Sequence, residues 1–128
     1  MLLKMCERRC VLSTKKDNAY LKHIIDAISD IKRFMEGLTK KEFLENKEKQ
    51  YAVLRALEII GEATKNLSKE MKAKHSEIQW KDISGMRDKL IHEYFGVNLD
   101  LVWETVKKNI PELEKQISEM LRTNSDTN

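Results

Sequence analysis

Apolar side chains recur every three or four positions along most of the 128-residue chain, the spacing of one buried face on an α-helix. The first such segment opens at Asp17, an N-cap residue type, and runs to Glu36, where Gly37 stops it. Its stripe is Tyr20, Leu21, Ile24, Ile25, Ile28, Ile31, Phe34 and Met35. Thr39 and Glu42 have the spacing of a capping box for a short helix carrying Phe43 and Leu44. A third segment, about Lys47 to Leu67, repeats the period through Tyr51, Leu54, Leu57, Ile60 and Ala63. Its small residues Gly61 and Ala63 allow a neighbour to approach closely. Ser68 is placed to cap a brief turn through Met71 and His75, and Asp82 a segment through Ile83, Met86, Leu90 and Ile91 that closes near Gly96. Asn98 or Asp100 opens the last long segment, through Leu101, Val102, Val106, Ile110, Leu113, Ile117 and Leu121. Pro111 removes one backbone donor there, which predicts a kink or a fresh helix capped by Asn109. The expected fold is all-α, an antiparallel bundle of four to five helices.

Composition narrows the class. A single proline, four glycines and 6% aromatic residues exclude collagen-like, proline-rich and all-β chains. No run of about 18 apolar residues is present, so no membrane span is expected. Charges at Lys4, Glu7, Arg8 and Arg9 interrupt the place where a signal peptide needs an apolar block, so a cytoplasmic protein is expected.

Charge divides the chain further. Residues 1–16 carry +4 of the net +3, leaving the body at −1. Three parts follow: a basic, poorly ordered extension over 1–16, a helical domain over 17–122, and a polar, frayed tail over 123–128. The near-neutral body lacks the basic excess of many nucleic-acid binders, so contacts to RNA must come from a local cluster. Cys6 and Cys10 are two ligands where a structural zinc site needs four, and read as ordinary thiols. No metal and no cofactor are expected.

Of three histidines, His23 and His75 stand among charged neighbours and read as solvated. His92 lies in Arg87-Asp88-Lys89-Leu90-Ile91-His92-Glu93-Tyr94-Phe95-Gly96, where a permanent cation, a carboxylate, a titratable base and a phenol fall together. Asp88 and His92, four apart, differ by about 40° around a helix, so the carboxylate can hold the imidazole ring. Arg87 and His92, five apart, diverge by about 140° and cannot converge from one straight helix. Using both needs a helix edge facing a groove, or a second copy of the chain. Arg87 and Tyr94 are nearly eclipsed, about 20° apart. An arginine fork grips phosphate oxygens, and a histidine moves protons near neutral pH, so the pair suits chemistry at a phosphodiester. The bland alternative is a helix end dressed with surface polar groups.

At these residues the chain resembles the HepT-like branch of the HEPN superfamily, whose R-x4-H-x-Y motif is met by Arg87, His92 and Tyr94. The likeness extends to Tyr20-Leu21-Lys22-His23-Ile24, to Ala56 through Ala63, to Gly85-Met86-Arg87, and to Tyr94-Phe95-Gly96-Val97 with Val102-Trp103. The resemblance implies a dimeric helical bundle whose two motifs share one cleft. It implies a metal-independent endoribonuclease toxin with Arg87 and His92 catalytic and Asp88 supporting. It further implies a MntA-like nucleotidyltransferase antitoxin that adds AMP to Tyr94, the assembly being a homodimer or a hetero-oligomer with that antitoxin. RNA is then the substrate, with no role for DNA or a membrane. Position 88 departs from the Asn that many HEPN proteins carry there; aspartate favours the imidazolium of His92 and adds negative charge beside a phosphate site. The alternative the resemblance leaves open is a non-catalytic module that holds substrate or nucleotide for a nucleotidyltransferase, with Glu62 and nearby basic residues as its surface.

Overall fold

The computed structural model describes residues 2–91 and 98–126, and every regular element among them is helical. α1 runs Leu2–Met35, α2 Lys40–Glu45, α3 Lys47–Lys65, α4 Lys69–Lys74, α5 Trp80–Ser84, α6 Met86–Ile91, α7 Leu99–Glu104 and α8 Ile110–Asp126. A π-turn, Thr105–Asn109, joins α7 to α8. None of the described helices is long and apolar enough to cross a membrane.

Three long elements form the bundle, and side-chain pairs fix their directions. Lys49 lies over the Phe34 ring, while Asp17 meets Ser68, so α3 runs back along α1. Lys32 pairs with Glu114 and Asn18 with Asn124, so α8 is also antiparallel to α1. The shared core is the expected stripe of α1 (Leu21, Ile24, Ile28, Ile31) against Val53, Leu57 and Ile60 of α3 and Leu113, Ile117 and Met120 of α8. Phe43 from α2 is fully buried and its ring tilts against Trp103 at 5.8 Å. Burying side chains of this size stabilises the bundle by about 1.5–3 kcal/mol each.

Several ends are where the cap residues put them. Gly37 takes a positive φ of 73°, the left-handed conformation that ends α1 without a Cβ clash. Thr39, Asn46, Ser68 and Asn98 each accept a backbone N–H in the first turn of the helix that follows.

Other expectations fail for tertiary reasons. Asp17 caps nothing: α1 already runs from Leu2, and Asp17 sits inside it, 3% exposed. Its carboxylate accepts from the Ser68 backbone N–H at 2.8 Å and from Ser68 Oγ at 2.6 Å, while Ser68 Oγ accepts from Met71 N. One carboxylate thereby ties the middle of α1 to the α3–α4 corner. The helical backbone continues past position 123 to Asp126, with Thr123 Oγ1 donating to the Glu119 carbonyl. Tyr51 is 68% exposed and Leu101 39%, so neither belongs to the core; Val53, Ala56 and Met120 do. Pro111 produces neither a separate capped helix nor an end. The Ile110 N–H reaches back five residues to the Thr105 carbonyl, and this wider turn makes room just ahead of the proline ring. The side chains of Cys6 and Cys10 lie outside the described residues.

Removing the Asp17 carboxylate strands a buried N–H and a hydroxyl. Asp17→Ala should cost about 1–3 kcal/mol of unfolding free energy, read from the shift of the urea midpoint at unchanged slope. A midpoint equal to wild type would show that the tie contributes nothing.

Candidate active site

The motif segment is held from behind by a short, tightly anchored loop. After α4, Ile78 and Trp80 are buried, and the Trp80 indole N–H donates to the His75 carbonyl at 2.9 Å. A buried indole demands such an acceptor, so Trp80 was the sequence signal for this anchor. The turn brings α5 across α3 at Gly61, where an added Cβ would stand 3.6 Å from the carbonyls of Ile83 and Ser84. The close approach expected at Gly61 is therefore to α5, where an added methyl would be in van der Waals contact and a side chain longer than alanine's would meet the α5 backbone.

Two boundaries differ from expectation. Helix α5 begins at Trp80 with Gln79 ahead of it, so Asp82 lies in its first turn instead of capping it. The segment is also broken: Gly85 ends α5 and its own carbonyl accepts from Lys89 N at 3.1 Å, starting α6. Gly85 itself, at φ −86° and ψ −3°, donates its N–H to the Lys81 carbonyl of the preceding turn. Position 87 is thus the second residue of α6, immediately beyond an anchored corner.

Of the expected site residues, Asp88 is described in full: it is exposed on the first turn of α6. Arg87 has its backbone on α6, while its side chain, and all of His92 and Tyr94, lie outside the described residues. So does the expected end of this segment near Gly96. Around Asp88 the surface is mixed in sign, with Lys89 Nζ 3.8 Å from the Asp82 carboxylate. The other histidines divide. His23 is exposed, as expected, with its ring edge against Tyr20. His75 is half-buried instead of solvated, with Nδ1 3.6 Å from a Glu77 carboxylate oxygen. Among the described residues no three His, Cys, Asp or Glu side chains are grouped as metal ligands.

Beside α6 lies a groove that the sequence did not announce, because its two walls are about 30 residues apart in the chain. Its volume is about 320 Å³. Ile83 and Met86 form one apolar wall and Ile110 and Leu113 the other; Gln79, Asp82, Asn109, Glu112 and Gln116 stand around them. Met86, which lines it, directly precedes Arg87.

The profile of a family described as ribonuclease HepT-like matches residues 24–120. A protein of Caldanaerobacter subterraneus subsp. tengcongensis, named "Putative RNase", is 50% identical over 84% of this chain and 96% of its own. A protein of Thermococcus cleftensis, named "Probable ribonuclease HepT", is 46% identical over 79% of this chain and 92% of its own. A "Putative RNase" of Methanocaldococcus jannaschii is 44% identical over 84% and 90%. No solved structure matches the chain.

Proposed function

Since the chain belongs to the HepT-like ribonuclease family, we propose that this endoribonuclease cuts RNA through Arg87 and His92 without a metal, as the toxin of a toxin–antitoxin pair. The observation that supports this reading is the placement of α6. Gly85 starts it from a corner braced against α3, and Asp88 meets solvent on its first turn. A site built on a braced helix holds its donors in place better than one on a free loop, which is what stabilising a phosphorane requires.

In the proposed reaction His92 takes the proton of a ribose 2′-hydroxyl as its oxygen forms a bond to the adjacent phosphorus. The bond from phosphorus to the 5′-oxygen of the next nucleotide breaks, and that oxygen leaves with a proton taken from water. Arg87 holds the charge that builds on the non-bridging oxygens. Asp88 orients the His92 ring and favours its charged form. The products are a 2′,3′-cyclic phosphate and a free 5′-hydroxyl. RNA incubated with the purified protein in excess EDTA should still be cut and should carry those ends; loss of cutting in chelator would refute the metal-free reading.

The angular separation of Arg87 and His92 supports a two-fold dimer in which the motifs of both copies face one cleft. Light scattering should then give about twice the chain mass of 15.1 kDa. A monomer whose activity is linear in concentration would exclude the shared cleft. The antitoxin of this reading is a MntA-like nucleotidyltransferase. It passes AMP from ATP to the Tyr94 hydroxyl, whose oxygen bonds to the α-phosphorus as pyrophosphate leaves and the phenolic proton is given up.

A further inference from the structure

We propose that the groove between α5 and α8 is a base-binding subsite that seats a guanine next to the phosphate being cut. This rests on the nuclease reading above. Three properties of the groove carry it. Its volume of about 320 Å³ is at the small end of ligand pockets, room for a single splayed base and not for a duplex. Its walls, Ile83 and Met86 facing Ile110 and Leu113, offer apolar contact to the faces of an unstacked base. Its polar groups are of the kind that read base edges: the amides of Gln79, Asn109 and Gln116, and the carboxylates of Asp82 and Glu112. Among the described residues no lysine or arginine lines it.

The carboxylates choose among the bases. A carboxylate only accepts hydrogen bonds, and takes two parallel N–H donors best. Guanine presents two adjacent donors on its Watson–Crick edge, N1–H and the N2 amino group, with O6 left for an amide donor. Adenine and cytosine present one amino group each. Uracil places carbonyl oxygens on both sides of its one N–H, and those oxygens would face the carboxylates. Location supplies the link to cleavage: Met86 shares the groove and the α6 first turn with Arg87, so a base seated there brings its own phosphate to the motif helix. Asp82 is engaged by Lys89, which leaves Glu112, on the opposite wall, as the cleaner residue to change.

The test has two arms. In the first, cut sites are mapped on a single-stranded RNA in which all four bases are equally frequent, for the wild-type protein, Glu112→Gln and Gln116→Ala. Cutting beside guanine should exceed cutting beside uracil by about tenfold, and Glu112→Gln should shrink that bias to about twofold without abolishing cleavage. Equal cutting at all bases, or a bias that both variants leave intact, overturns the proposal. The second arm does not depend on cleavage. Guanosine and uridine are titrated separately into the wild-type protein while the side-chain amide resonances of Gln79, Asn109 and Gln116 are followed. Shifts with guanosine and not with uridine support the subsite even if no RNA is cut, in which case only the nuclease reading falls. Unmoved amides, as when a second copy of the chain covers the groove, overturn the subsite while cleavage itself persists.

Discussion

Replacing His92 by alanine is expected to lower the rate of RNA cleavage by about 10²–10⁴, the usual contribution of a positioned proton-transfer group. Arg87→Ala should cost about 10²–10³, because it removes one charged donor from the phosphorane oxygens. Arg87→Lys should recover little, since an ammonium cannot reproduce the two-pronged grip of a guanidinium. Asp88 is exposed on the first turn of α6, so changes there are expected to act on the chemistry before the fold. Asp88→Asn keeps a hydrogen-bonding group but removes the charge that favours the His92 imidazolium. Its cleavage should fall less than tenfold, with the acidic limb of the pH–rate profile, which the general base sets, moved toward lower pH. These effects are read as single-turnover rates on one short RNA, alongside thermal melts to confirm folding. Full activity in His92→Ala would remove the proposed mechanism altogether.

Tyr94→Phe should separate activity from control. Co-expressed with the proposed MntA-like nucleotidyltransferase, the wild-type chain is expected to gain the mass of one or more adenylates and to lose cleavage. The phenylalanine variant is expected to gain none and to keep cutting. Chemistry sets the size of the difference. Each AMP brings a phosphodiester charge that competes with RNA for the Arg87 guanidinium, by the same electrostatics through which phosphorylation acts at an arginine. It also brings an adenosine into the space that RNA must enter. The two effects act together and leave the core untouched, so an adenylated protein should melt with the unmodified one. Intact mass spectrometry decides the matter: the same adenylate shift in Tyr94→Phe would place the modification on another residue.

Periodicity and caps made most of the fold legible. Leu21, Ile24, Ile28 and Ile31 lie on one face of any helix that contains them, whatever that helix packs against. A Thr, Asn or Ser oxygen three residues ahead of a free N–H satisfies it locally, which is why Thr39, Ser68 and Asn98 cap the elements they precede. Gly37 ended α1 because its left-handed φ is a property of one residue. The candidate site was legible in a different way. Arg87, His92 and Tyr94 are proposed from chemistry and family likeness, and whether they converge depends on neighbours that helical spacing cannot name.

Sequence by itself therefore determined what each short stretch does with its own backbone and which side it turns inward: an all-helical chain, its main core stripe, most of its caps, and membership of a ribonuclease family. Only the tertiary structure decided matters that depend on a partner far along the chain. Asp17 has the side chain of a cap, yet it serves Ser68, 51 residues away, because a carboxylate bonds whichever donor folding brings to it. Tyr51 and Leu101 keep the helical period and still face solvent, because none of the described elements packs over them. Pro111 broke no helix, because a π-turn ahead of it absorbed the missing donor within a long packed element. Gly85 divided α5 from α6, and a groove opened between α5 and α8 where two distant walls meet. Local propensity is a property of neighbouring residues, whereas burial, long-range hydrogen bonds and cavities exist only once separate helices share a core.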